Sequence, residues 1–263
     1  MPSFEHDGLT LAYDDITPKG GAERTLVLVH GFASNRMEGW KRTGWYAALE
    51  RRRTRLVAID QRGHGESAKP HESNAYSYAK FADDLIALMD HLGLGQVDLF
   101  GYSMGARTVL ATALKDPNRI SNLIMGGVGG TMISERPAST STMTMAQAML
   151  AESPDDITEP MLKSFRQFAD EQGEDRKALA ACTESINPPW NTDDFFALRM
   201  PVLVVTGQRD SLAGDPQALA DAFSFGKAAV LPGCDHFNAI PHGLTKAAVF
   251  DFLDGVEDDP WGR

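Results

Sequence analysis

The sequence predicts an α/β domain, a mostly parallel sheet with helices on both faces, and three observations predict it. Short apolar runs alternate with segments of helical period along most of the chain. The run over residues 25–29 is apolar at successive positions, as a strand covered on both faces requires. The alternation then lapses once, between residues 126 and 199, and resumes, which marks an insertion in an otherwise continuous fold.

Residues 4–13 predict a hairpin, because Asp7-Gly8 is a tight-turn pair between two short β-like runs. Residues 25–29 form a buried strand and residues 45–52 a short helix. A second buried strand over 55–59 ends at Asp60-Gln61-Arg62-Gly63-His64-Gly65. Residues 78–92 predict an amphipathic helix, since Phe81, Leu85, Leu88 and Leu92 recur at three- and four-residue spacing. A third strand over 97–101 leads into a helix over 104–114, which stops before Pro117, and a fourth strand covers 120–125.

From 126 to 199 no strand is expected. Gly126-Gly127-Val128-Gly129-Gly130 opens the region as a tightly turned segment. Helical patterns follow over 142–152 and 158–172, and a third apolar-containing run over 176–185 leads to Asn187-Pro188-Pro189-Trp190. The rhythm resumes with a strand over 201–206, a helix over 216–223, a strand over 228–231 and a final helix over 244–253; a frayed tail is expected over 257–260. The chain therefore divides into a core of residues 1–129 and 200–263 and a helical lid of residues 130–199 above the sheet.

The 263 residues suffice for one sizeable core, and the net charge of −11 argues against nucleic acid as a partner, because phosphates would be repelled. The two cysteines, Cys182 and Cys234, lack metal spacing and do not make a disulfide framework. The first residues carry no basic run followed by an apolar one, and no apolar run approaches the ~20 residues that span a bilayer. A soluble, cytoplasmic protein with no membrane span is expected.

The chemistry centres on Gly101-Tyr102-Ser103-Met104-Gly105, set between the third strand and its helix. A serine on a sharp strand-to-helix turn exposes its hydroxyl, and flanking glycines leave room for the turn. A serine hydroxyl needs a base, and the base needs orienting. Of the seven histidines, His236 follows the last strand, and loops after strand C-terminal ends share one sheet edge with Ser103. Asp210, in the loop after the strand at 201–206, is the expected orienting acid; Asp215, just before Pro216, suits a helix cap better. The oxyanion donors are expected to be the backbone N–H groups of Met104 and of Phe32, the latter in His30-Gly31-Phe32. His30 is read as a structural imidazole.

His30-Gly31-Phe32, Asp60-Gln61-Arg62-Gly63-His64-Gly65-Glu66-Ser67, Gly101-Tyr102-Ser103-Met104-Gly105, Gly207-Gln208-Arg209-Asp210 and Cys234-Asp235-His236-Phe237 together resemble the α/β-hydrolase fold superfamily, over nearly the full length. The resemblance implies an eight-stranded sheet with its second strand antiparallel and a lid over the site. It also implies a structural role for Arg62 and His64. The order Ser103…Asp210…His236 matches the order of nucleophile, acid and base in that superfamily.

These residues imply hydrolysis of carboxylic esters through an acyl-enzyme, with a small, apolar acyl substrate. Met132, Trp190 and Phe237 are candidate substrate-binding residues, and no cofactor or metal is expected. Two alternatives stay open: a carbon–carbon bond hydrolase of dienoic diketones, and a ligand-sensing protein that keeps the site with little turnover.

Overall fold

The computed structural model describes residues 2–134 and 143–256. The chain opens with an antiparallel hairpin of β1 (Ser3–His6) and β2 (Leu9–Ile16), turned at Asp7 and Gly8, both of positive φ. It continues through β3 (Arg24–Val29), α1 (Trp45–Arg51), β4 (Thr54–Ile59), α2 (Tyr78–His91), β5 (Val97–Tyr102), α3 (Met104–Lys115) and β6 (Ile120–Gly126). Between β6 and the next strand lie α4 (Met145–Leu150), α5 (Pro160–Gln172), α6 (Arg176–Thr183) and α7 (Thr192–Ala197). The last part is β7 (Val202–Gly207), α8 (Pro216–Ala220), β8 (Gly226–Leu231) and α9 (Gly243–Leu253).

Among the described residues eight strands form one sheet, in the order β1-β2-β4-β3-β5-β6-β7-β8. The pairs from β4 through β3, β5, β6 and β7 to β8 are parallel, and β2 runs against both its neighbours. This is the expected fold, an α/β-hydrolase sheet with its second strand antiparallel.

Alternating side chains of each central strand feed two apolar layers, as the period of a strand dictates. Val27, Val29, Leu99, Leu123 and Val204 pack toward α2, α3 and α8. Leu26, Leu28, Phe100, Ile124 and Val205 pack toward α1 and α9, where Trp40 and Trp45 are fully enclosed. Burying such side chains stabilises the fold by about 1.5–3 kcal/mol each.

The elements differ from the sequence reading where local signals are weak. α4 is shorter than the helix expected over 142–152, whose first residue lies outside the described residues, as do residues 135–141 of the expected lid and the expected tail at 257–260. α7 had no expected counterpart. It is a six-residue helix capped by Asn191, whose side chain accepts from the Asp193 N–H, and anchored by the buried Phe195 ring stacked on Phe223. One buried aromatic gives too little periodicity to read. Among the described residues no helix is long and apolar enough to cross a membrane.

The parallel strands bring the ends of β3, β5, β7 and β8 to one edge of the sheet. Residues 30–36 follow β3, Ser103 follows β5, Asp210 follows β7 and His236 follows β8. The segment between β6 and β7 packs over residues 32–35 at that edge, with Phe165 against Phe32 and Glu174 bonded to Asn35.

Candidate active site

Ser103 stands at φ 55° and ψ −110°, a conformation that costs an L-residue roughly 1–3 kcal/mol and persists only where the surroundings enforce it. The surroundings are tight. A Cβ added at Gly101 would overlap the Gly105 carbonyl, and one at Gly105 would overlap the Val29 carbonyl, so strand and helix touch through bare backbone. The Ser103 N–H donates to the Gly126 carbonyl at 2.7 Å, pinning the turn to β6. Gly105→Ala is expected to destabilise the fold by about 3 kcal/mol or more, beyond the usual cost of overpacking, because backbone rather than a side-chain tip must move. A chemical-denaturation midpoint unchanged from wild type would contradict this.

His236 Nε2 lies 3.0 Å from Ser103 Oγ, and its Nδ1 lies 2.7 Å from Asp210 Oδ2. A carboxylate only accepts, so Nδ1 carries the proton and the Nε2 lone pair faces the serine hydroxyl. Asp210 is itself fixed: Oδ1 accepts from the N–H groups of Leu212 at 3.0 Å and Ala213 at 3.1 Å. The candidate acid and base are both nearly enclosed. The rivals lie elsewhere. Asp215 accepts from the Gln217 N–H at the start of α8, and Asp235 accepts from the N–H groups of Phe237 and Asn238.

Met104 is the first residue of α3, so its N–H has no partner within the helix. Gly31 lets the neighbouring loop come close: a Cβ there would sit 3.4 Å from Ser103 Cβ. For the Phe32 N–H that follows, no hydrogen-bond acceptor occurs among the described residues. Two open amides therefore flank the serine.

The two other buried histidines, His30 and His64, are held as neutral supports. His30 Nδ1 donates to the Gly31 carbonyl at 2.8 Å and Nε2 accepts from the Gln61 N–H at 3.0 Å. Burial lowers its pKa to about 4, and that of His64 to about 3. Arg62 donates to both oxygens of Asp84 at 2.7 Å and to the Ala75 carbonyl, which ties the loop after β4 to α2.

Two chambers meet at Ser103 and Arg107. The larger, about 660 Å³, is bordered by Phe32, Met104, Met132, Cys182 and Trp190. The smaller, about 480 Å³, is bordered by His236, Thr131, Met161 and Leu212. Of the three candidate substrate-binding residues, Met132 and Trp190 border the larger chamber. Phe237 does not. Asp235 holds its N–H in a tight turn, and the half-exposed ring lies against Phe165 and Phe168 and lines neither chamber. Burial raises the Cys182 thiol to about 12, so it stays protonated near neutrality and is no rival nucleophile.

Sequence reasoning missed two residues. Tyr102 donates its hydroxyl to the His236 carbonyl at 2.6 Å, fixing the histidine loop from the serine turn itself. Arg107 stands four residues after Ser103 on α3, hence on the same helix face. It borders both chambers, and no carboxylate lies within ion-pair distance of it among the described residues. Its signal in the sequence was a cation in the first turn of a helix whose other cation, Lys115, lies at the far end.

The model of the alpha/beta hydrolase fold family matches residues 24–185. The chain belongs to this family. Among relatives, a 2-hydroxymuconate semialdehyde hydrolase of Pseudomonas putida is 34% identical over 129 residues, 49% of this chain and 45% of that protein. The dihydrolipoyllysine-residue acetyltransferase component of an acetoin cleaving system, also of Pseudomonas putida, is 27% identical over 243 residues, 88% of this chain and 63% of that protein. The chain therefore spans about half to two thirds of the length of these curated relatives. Among solved structures, a thermophilic esterase from Thermogutta terrifontis superposes with a TM-score of 0.73 at 27% identity, covering 96% of each chain.

Proposed function

We propose that this α/β-hydrolase family member is a serine hydrolase of small carboxylic acyl substrates, working through an acyl-enzyme. The observation that carries the reading is the hydrogen-bonded row from Ser103 through His236 to Asp210 at the mouth of two chambers. His236 Nε2 takes the serine proton as Oγ bonds to the acyl carbon, and the N–H groups of Phe32 and Met104 hold the resulting oxyanion. Collapse breaks the bond to the leaving group, which takes the proton from His236. Water, deprotonated in turn by His236, then releases the acid and regenerates the serine.

The chambers suggest which way a substrate lies. Phe32 and Met104 border only the larger one and His236 only the smaller, so the acyl part belongs in the larger and the leaving group in the smaller. The described residues 130–134 and 143–199 act as the lid that roofs the larger chamber.

Arg107 alters the expectation of a wholly apolar substrate. A half-buried guanidinium that has no carboxylate partner among the described residues, beside the reacting serine, suits a substrate that carries its own carboxylate. Arg107→Met is expected to reduce kcat/KM by about 10- to 100-fold for an ester bearing a carboxylate, the value of about 1.5–3 kcal/mol for a charge-assisted bond, and to leave a neutral ester unchanged. Equal losses on both esters would contradict an anion-binding role.

The same residue favours a second reading, a carbon–carbon bond hydrolase of dienoic diketones, since one relative is a hydrolase of a hydroxymuconate semialdehyde. A panel of p-nitrophenyl esters of graded acyl length, run beside a ring-opened dienoic diketone, separates the two. Turnover of the esters alone supports the first reading; cleavage of the diketone at higher kcat/KM supports the second. No turnover of either supports a ligand-sensing role.

A further inference from the structure

The loop that follows β3 carries the Phe32 amide, and its two ends are held from below by the core. His30 is bonded to Gln61 at one end, and the Arg36 N–H donates to Asp60 Oδ1 at 2.7 Å at the other. The middle of the loop, where the amide itself lies, is held from the other side, by the segment between β6 and β7.

Three contacts do this. Ala33, fully buried, has φ 58°, a left-handed conformation that an alanine adopts only when the surroundings enforce it. Its surroundings are Ala146 and Met149 of α4, Ala169 of α5, and Leu179 and Ala180 of α6. The Phe32 ring meets the Phe165 ring of α5 edge to face, with centroids 6.0 Å apart. Glu174, in the turn between α5 and α6, reaches down into the core and is nearly enclosed. Its Oε1 accepts from Asn35 Nδ2 at 2.9 Å, and its Oε2 accepts from the Gly65 N–H at 2.9 Å. Asn35 in turn accepts the N–H groups of Met37 and Glu38 on its Oδ1. One buried carboxylate thus fastens the loop after β3, the loop after β4 and the β6–β7 segment to one another.

We propose that the β6–β7 segment does more than roof the substrate: it sets the oxyanion site, and Glu174 is the positioning residue through which it does so. An oxyanion donor must lie about 2.7–3.1 Å from where the charge develops, and a misplacement of about 1 Å costs roughly 100-fold in rate. The core fixes the ends of the loop by hydrogen bonds and meets its middle only through the Phe32 ring, edge to face with His64 at 5.9 Å, and through the close approach of Gly31 to the serine turn. Glu174 and the packing around Ala33 fix its middle, so the position of the Phe32 amide follows the seating of α4, α5 and α6. Displacement of those helices disables the oxyanion site while Ser103, His236 and Asp210 keep their places, because the latter three are anchored to β5, β7 and β8. This coupling rests on the serine-hydrolase reading above.

The test compares Glu174→Ala and Glu174→Gln with wild type on a p-nitrophenyl ester, and measures binding of a trifluoromethyl ketone. Ser103 Oγ adds to the carbonyl carbon of that ketone, giving a hemiketal oxyanion that occupies the same site. Glu174→Ala is expected to lower kcat by about 10- to 100-fold with KM changed far less, and to weaken the ketone in parallel with kcat/KM. Glu174→Gln keeps the volume and one acceptor oxygen and is expected to lose less, which keeps the test valid if the alanine variant folds poorly. Asp175→Asn, which removes the exposed 3.0 Å pair with His71 from the same turn, is expected to leave kcat within about twofold. The proposal is overturned if the folded Glu174 variants keep wild-type kcat, or if KM carries the whole effect with ketone affinity unchanged. If wild type itself turns over no ester and forms no ketone adduct, the serine-hydrolase reading fails, and the coupling fails with it; wild-type turnover with unaltered Glu174 variants overturns the coupling alone.

Discussion

Ser103→Ala is expected to lower kcat on an activated ester by about 10⁴- to 10⁶-fold, the scale seen when a serine nucleophile is removed from such a row. The size of the effect follows from what remains. The Phe32 and Met104 amides and both chambers survive the substitution, but nothing else near the acyl carbon can form the covalent intermediate. Cys182, which borders the larger chamber, is held as a thiol by burial. The substitution removes one oxygen from a residue of positive φ, which an enforced alanine also holds at Ala33 nearby, and the glycine contacts and the Gly126 bond that shape the turn remain, so the fold is expected to persist. Circular dichroism and the denaturation midpoint check that. Retained turnover in a folded variant would remove Ser103 from the mechanism.

Asp210→Asn is expected to lower kcat by roughly 10⁴-fold. The carboxylate now fixes the histidine with Nδ1 protonated, and an asparagine presenting its NH₂ group there would favour the opposite tautomer, with Nε2 protonated and unable to take the serine proton. The two N–H groups that hold Oδ1, from Leu212 and Ala213, would orient the asparagine with its oxygen toward them and its NH₂ toward His236. Asp215→Asn is the matched control. Among the described residues its side chain accepts from the Gln217 N–H alone, and asparagine caps a helix as well as aspartate does, so kcat is expected to change less than about twofold. The opposite ranking would assign the acid to Asp215.

The order of strands and helices was legible because each central strand is covered on both faces and each long helix has one apolar stripe, and both patterns survive in a single sequence. The serine, aspartate and histidine were legible for a related reason. Parallel topology sends every strand end to one edge, so a serine after one strand and a histidine after another are brought together by the fold. What escaped was set by tertiary contacts without a local signature. Phe237 neighbours His236 in sequence and its ring lies edge-on to the imidazole, yet the turn held by Asp235 sets it against Phe165 and Phe168 of α5 rather than on a chamber wall. Glu174 and Asn35 are 139 residues apart and meet only because the β6–β7 segment folds back over the loop after β3. Arg107 was visible as a cation in the first turn of α3, but its meaning needed the chambers on either side of it.

The most direct test of the central claim is covalent labelling of the wild-type protein with a fluorophosphonate, followed by mass spectrometry of the intact chain and its peptides. The phosphorus is attacked by an activated serine oxygen with loss of fluoride, so the label reports the nucleophile without assuming a natural substrate. One adduct per chain, on the peptide containing Ser103, forming in step with the loss of ester turnover and absent from Ser103→Ala, is the predicted result. An adduct on another residue, or equal labelling of the Ser103→Ala protein, would contradict it.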